Sequence, residues 1–153
     1  MRLQLERFPH GVHFIRVPSK TAELFIGKGS RRVLCTINQA PPFHCAFMRT
    51  KEGDYYVHLG TSQVRKMKLK AGSSVAVRFS EDVTEHQFEV PEEFAAVLES
   101  DPEAEALFRK LTPGNQRGLL YLVTRLRSSE KRIERSLHIA EKMKAGITSP
   151  RAM

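Results

Sequence analysis

Apolar and polar residues alternate with a period of two in a series of short stretches before Val90, and with a period near 3.6 after Pro91. Val12 to Val17 reads as a first strand, closed by Pro18, whose ring cannot donate to a ladder. Thr21 to Ile26 reads as either a short helix or a strand, ended by Gly27 and Gly29. From Arg32 to Asn38, Val33, Cys35 and Ile37 point one way while Leu34, Thr36 and Asn38 point the other, and Phe43, Cys45 and Phe47 repeat the pattern. After a turn at Gly53 and Asp54, Tyr55 to Leu59 forms another strand. Thr61 to Lys68 follows as a helix with Thr61 or Ser62 as its cap. Ala71 and Gly72 reverse the chain into Val75, Val77 and Phe79, and Glu85 to Val90 alternates once more with His86, Phe88 and Val90 inward. Six or seven short strands with one inserted helix predict a small closed β-barrel.

A three-residue hairpin loop at Gln39, Ala40 and Pro41 would pair Ile37 with Phe43, Cys35 with Cys45 and Val33 with Phe47. Both thiols would then stand opposite each other on the buried face. Two small apolar core residues, rather than a redox pair, are the expectation, because buried cysteines are usually inert.

Past Pro91 the helix signals take over. Pro91 with Glu92 and Glu93, Asp101-Pro102-Glu103 and Thr112-Pro113 each have the form of a first helical turn, with proline near the start and carboxylates complementing the dipole. One helix carries Leu119, Leu122, Val123 and Leu126 on a single face. The last opens at Ser128 or Ser129, buries Ile133, Leu137 and Ala140, and stops at Gly146. The fold expected is therefore α+β, with a barrel over residues 1–90 and a helical subdomain over residues 91–153.

Composition adds limits. A chain of 153 residues with 41% hydrophobic and 27% charged residues can bury one ordinary core, or a small barrel with a helical extension. No window approaches the roughly 20 apolar residues of a membrane span, and Met1 to Pro9 lacks the apolar run of a signal peptide. Two cysteines exclude a disulfide scaffold and point to a reducing cytoplasm. The formal charge of +8 is uneven: residues 1–90 carry 14 basic and 8 acidic groups, and residues 91–153 carry 11 and 9. Such a field steers nucleic acid, anionic lipid or an acidic protein toward the barrel.

The runs CTINQAPPFHCAFM from Cys35, GDYYVHL from Gly53 and KMKLKAGSSVAVRFSED from Lys66 resemble a β-barrel family of unknown function found in bacteria and archaea. VPEEFAAVLESDPEAEALFRKLTPGNQRGLLYLV from Val90 and SSEKRIERSLHIAEKMKAG from Ser128 resemble the helical YdeI/OmpD-associated family, also labelled bacteriocin-protection. The two commonly occur fused in this order. The turn departs from the family pattern, with Gln39 after Asn38 where the family usually has glycine. The resemblance implies a fold and a phenotype, tolerance of bacteriocins or cationic peptides, but no reaction.

Candidate chemistry is sparse. His10, His13, His44, Cys45 and His58 are the histidines and thiol nearest to a ligand set, yet none has Cys-x-x-Cys or His-x-x-x-His spacing, so no metal is expected. A Cys45 nucleophile needs a depressed pKa, which an apolar strand face opposes. No Gly-x-Ser-x-Gly elbow, Walker loop or dinucleotide fingerprint is present, and neither a cofactor nor an enzyme is expected. The leading expectation is a non-enzymatic cytoplasmic binding or stress-tolerance protein. Its barrel mouth would be lined by Asn38, His44, Arg49, Tyr56, His58 and Lys66 and would take a small anionic ligand or a peptide. The alternative is a nucleic-acid module in which Lys51, Arg65, Lys68 and Lys70 hold phosphates and a nearby tyrosine stacks a base. The charges of the last helix alternate in sign, which fits a salt-bridged surface better than a polyanion footprint.

Overall fold

The computed structural model describes residues 1–153 and divides into two compact units, Met1–Val83 and Thr84–Met153. The first contains seven strands, β1 (Arg2–Arg7), β2 (His13–Val17), β3 (Arg32–Ile37), β4 (Phe43–Ala46), β5 (Met48–Arg49), β6 (Tyr55–Leu59) and β7 (Ser74–Glu81). They form one antiparallel sheet in the order β4-β3-β7-β1-β2-β6-β5, and β4 approaches β6, so the sheet curls into a nearly closed barrel. Two helices belong to this unit rather than one: α1 (Ser19–Ile26), settling the ambiguous Thr21–Ile26 segment as helix, and α2 (Thr61–Lys66).

The period-two pattern decides what faces inward. Val33, Cys35 and Ile37 of β3, Tyr55, Val57 and Leu59 of β6, and Val75, Val77 and Phe79 of β7 are all buried in one core. Phe47, fully buried between β4 and β5, meets Phe79 at 5.0 Å and Phe25 of α1 at 6.0 Å between ring centroids.

The β3–β4 register differs from expectation by two residues: Cys35 pairs with Phe43 and Val33 with Cys45. Pro41 and Pro42 have no N–H to offer a ladder, and pairing starts at Phe43 as expected but opposite Cys35 rather than Ile37. The chain turns earlier instead, with Ala40 N–H donating to the Ile37 carbonyl at 3.0 Å. Asn38 takes the left-handed conformation (φ 53°), donating its N–H to the Ala76 carbonyl and accepting from the Ala76 N–H at its Oδ1. A two-residue slip keeps the same side chains inward. The thiols are thus diagonal neighbours rather than opposed, and both are free. Contact with the Cys45 thiol, together with burial, pushes the Cys35 thiol far above the ordinary range and keeps it protonated.

β1 was not among the expected strands, and Glu85–Val90 is not a strand. That segment belongs to the second unit, where Phe88 packs on the helical core. Four helices build this unit: α3 (Glu92–Ser100), α4 (Pro102–Lys110), α5 (Pro113–Thr124) and α6 (Ser129–Lys144), with a short 3₁₀ turn at Pro150–Ala152. Their starts follow the capping signals. Asp101, Thr112 and Ser128 each accept from a backbone N–H three residues on, at 3.1, 3.3 and 3.2 Å. Pro91 is the cap of α3 rather than its first residue. Beyond α6 and its cap Ala145, Gly146 takes the left-handed conformation (φ 88°) and the Ile147 N–H returns to the Lys142 carbonyl. Gly118 of α5 lies against Pro150: a Cβ there would come within 2.5 Å of the proline ring.

The inward face of α6 is rotated from the expected one. Ser136, Ile139, Ala140 and Met143 are buried, whereas Ile133 and Leu137 are 44% and 51% exposed. Both stripes satisfy a 3.6 period, and the side chain of Arg132 lies on the buried one. It donates from Nε to the Leu126 carbonyl at 2.8 Å and from Nη2 to the Thr124 carbonyl at 3.0 Å, closing the end of α5.

Candidate functional site

The helical unit segregates its charge along the chain. From Thr84 to Phe108 there are eight carboxylates and no lysine or arginine, and from Arg109 to Met153 there are eleven basic residues and three acidic ones. α3 is therefore an acidic element beside a basic half. It runs parallel to α6: Ser129 Oγ donates to Glu93 Oε2 at 3.2 Å where both begin, and Lys144 Nζ meets Asp101 Oδ2 at 2.8 Å where both end. The Lys144 ammonium, followed by the Ala104 N–H, holds the Asp101 carboxyl below its usual range, and the lysine is raised in turn by Asp101 and then Glu141.

Between these ends lies an open groove of about 400 Å³. Ala96 and Val97 of α3 and Ile133 of α6 form its apolar floor, Glu92 and Glu93 stand at one end, and Ser100 and Ser129 complete the lining. Leu137 continues the exposed apolar ridge one turn beyond Ile133. Glu93 is partly neutralised by Arg132, 3.8 Å away, while Glu92 is exposed. A second cleft of about 230 Å³ between α3 and α4 has Phe94, Phe108 and His86 as ring walls and Glu85, Glu99 and Glu105 among its lining groups. Arg109 also lines it and pairs with Glu105 at 2.7 Å.

The barrel unit has the opposite balance. Residues 1–83 hold 14 basic and 6 acidic groups and so carry the whole formal excess of the chain, since residues 84–153 hold 11 of each. On the outer face of β1, β2 and β6 a second set of rings is assembled. Phe8 stacks on Phe14 at 3.8 Å and on His10 at 5.2 Å, and Tyr56 meets both phenylalanines edge-on. Arg16 lies over the Phe14 ring and is paired with Asp54 and Glu6.

The residues expected at a barrel mouth lie on several elements of the barrel unit. Asn38 is in the β3–β4 turn, its side-chain oxygen committed to Ala76. His44 stands on β4 and donates from Nδ1 to Asp82 Oδ2 at 2.5 Å, a carboxylate that is entirely buried. Arg49 of β5 covers the Tyr55 ring at 5.0 Å and reaches the Gly53 carbonyl. Tyr56 and His58 share the outer face of β6, where partial burial lowers the histidine pKa. Lys66 ends α2. No hydrogen bond, ion pair or ring contact joins any two of these six. Of the four expected polyanion contacts, Arg65, Lys68 and Lys70 are exposed on α2 and the turn after it, while Lys51 sits apart in the β5–β6 turn. Sequence reasoning missed Asp82 and the α3–α6 groove. Asp82 lies 38 residues from His44, beyond the reach of any local pattern.

Two family models match the chain. One, described as Domain of unknown function (DUF1905), matches residues 2–79. The chain belongs to the DUF1905 family. A second model, described as Bacteriocin-protection, YdeI or OmpD-Associated, matches residues 87–146, so the two families follow one another in the order implied by the resemblance. No curated protein and no solved structure matches the chain. The outer ring cluster and the α2 cations lie within the DUF1905 match, and every residue lining the α3–α6 groove lies within the second. No helix is long and apolar enough to cross a membrane, and no group of three or more His, Cys, Asp or Glu side chains is arranged to hold a metal ion.

Proposed function

We propose that this member of the DUF1905 family is a non-enzymatic binding protein whose helical unit captures cationic amphipathic peptides in the groove between α3 and α6. The observation that carries this reading is the groove itself: an apolar floor of Ala96, Val97 and Ile133, open to solvent, on a helix whose whole neighbourhood in sequence is acidic. Its volume falls in the range of about 300–1,000 Å³ typical of ligand clefts. An amphipathic helix or extended segment lays apolar side chains along Ile133 and Leu137 and turns a cation toward Glu92, the exposed carboxylate at the groove's end. An exposed ion pair of this kind contributes at most about 1 kcal/mol, so the apolar floor supplies affinity and Glu92 supplies selectivity for positive charge. The bacteriocin-protection description of the second family agrees with a peptide as ligand.

Isothermal titration of the full chain with a synthetic Lys/Leu amphipathic peptide tests the reading. Saturable binding is expected, weakened about fivefold or more by Ile133→Ser, since roughly 1 kcal/mol of apolar burial is lost at a half-exposed site. A Glu/Leu peptide of the same pattern should not bind. Equal affinity for the two peptides would sink the proposal.

A further inference from the structure

The barrel unit carries a surface of the opposite kind, and we infer that it binds single-stranded nucleic acid through the exposed cations of α2 and its following turn together with the outer ring cluster of β1, β2 and β6. Arg65, Lys66, Lys68 and Lys70 fall within six residues, all are exposed, and none is in a salt bridge. Elsewhere on the unit Arg16 and Lys28 are each offset by carboxylates. The backbone that presents the four cations is tightly tied. The Lys68 N–H donates to the Arg65 carbonyl, Ser73 bonds Lys70 through both its N–H and its hydroxyl, and Gly72 N–H and Leu5 carbonyl join the turn to β1. A fixed array of like charges that no neighbour neutralises is what a phosphate backbone meets favourably.

Topology sets this array beside the rings. Arg7, the last residue of β1, pairs with His13 of β2, which pairs with Leu59 of β6, and only Gly60 separates Leu59 from α2. Phe8 follows Arg7 directly, so the His10–Phe8–Phe14 stack rises at the sheet end from which α2 departs. Phe8 stacks on both Phe14 and His10, and His10 is exposed. A base laid on His10 extends a stack that is already formed, with Tyr56 and His58 on the same sheet face. Stacking of this sort ignores sequence and favours unpaired bases. An anionic membrane surface fits less well. The large apolar residues exposed on this unit are Met1, Leu24, Met48 and Val83, and none lies on α2 or its turn to insert beside the cations.

The test is fluorescence anisotropy of a labelled oligo-dT with the full chain over a range of salt, with R65A/K66A/K68A/K70A, H10A and anionic phosphatidylserine vesicles as comparisons. Binding is expected to weaken with salt, with a log–log slope of about −0.7 for each phosphate neutralised, hence roughly −2 to −3 for this array. The fourfold variant should abolish that slope. His10→Ala should cost about tenfold for the single strand and little for a duplex of the same length. Circular dichroism matching the parent establishes that both variants fold. Wild-type affinity in the fourfold variant, indifference of single-strand binding to His10→Ala, or binding to vesicles but not to the oligonucleotide would each overturn the inference. Peptide binding at the α3–α6 groove is read separately and does not depend on this outcome.

Discussion

The two units differ less in how well they are packed than in what they leave at the surface. The barrel closes its core with Phe25, Phe47 and Phe79 and leaves cations outside. The helical unit also closes a core, around Phe94, Phe108, Leu119 and Ile139, but leaves an apolar ridge uncovered beside its most acidic helix. Charge follows the division: +8 on residues 1–83 and zero on residues 84–153, the latter made of an acidic stretch followed by a basic one. Net charge for the whole chain conceals this arrangement. A basic protein of this composition reads as a polyanion binder, whereas its second half carries no net charge and sets an acidic helix beside an exposed apolar ridge.

The sharpest way to break the comparison is to remove a core anchor from each unit. Phe47→Ala and Phe94→Ala should each cost about 3–5 kcal/mol, because each deletes a fully buried ring from a closed core. Calorimetry should show the thermal transition falling in both variants. A loss below about 1 kcal/mol in either would mean that its ring is not part of a close-packed interior. Next in size is Arg132→Ala. It leaves the Leu126 and Thr124 carbonyls without their charged donor and Glu93 with only the Ser129 hydroxyl, an expected cost of about 2–3 kcal/mol by urea denaturation. Arg132→Lys cannot reproduce the fork and should recover only part of it.

Smaller effects sharpen the contrast between core and ridge on α6. Ile133→Ser and Leu137→Ser should change stability by about 0.5 kcal/mol or less, unlike Ile139→Ala, whose side chain is fully buried and whose loss should cost about 2–5 kcal/mol. A large cost at Ile133 would show that the ridge is covered by the protein's own structure. Smallest is a pH effect on the barrel. Burial lowers the His58 pKa below the ordinary value of 6.5, so the folded state binds this proton less readily than the unfolded chain. Its contribution favours folding above the unfolded pKa and is lost as pH falls through and below 6.5, and proton NMR should place the His58 midpoint under 6.5. A midpoint above 6.5 would contradict the partial burial described for β6.

Much of the barrel was legible in the sequence because alternation on a half-buried sheet is local. Val33, Cys35 and Ile37 could be placed inward from spacing alone, and Tyr55 to Leu59 likewise. β1 escaped notice because Arg2, Glu6 and Arg7 surround only two inward residues, Leu3 and Leu5; it is a strand because it pairs with both β2 and β7, which no local pattern records. The alternation at Glu85–Val90 was genuine but found no partner strand, and Phe88 turned to the helices instead. Capping residues marked the helix starts well, since Asp101, Thr112 and Ser128 act on their own first turns. The face of α6 was not decidable from its own sequence. Ile133, Leu137 and Ala140 satisfy the helical period as well as Ser136, Ile139, Ala140 and Met143 do, and the buried set is the one that packs with residues of the other helices. The candidate groove was hidden for the same reason, because it exists only once Ile133 is on the outside.

The most direct test of that central claim is an amide NMR titration of the full chain with the Lys/Leu amphipathic peptide. Shift changes should concentrate at Glu92, Glu93, Ala96, Val97, Ser129 and Ile133, the residues that line or edge the groove, and in Ile133→Ser should need about fivefold more peptide to reach the same extent. Saturable perturbations confined to residues 1–83, or none at saturating peptide, would contradict the account.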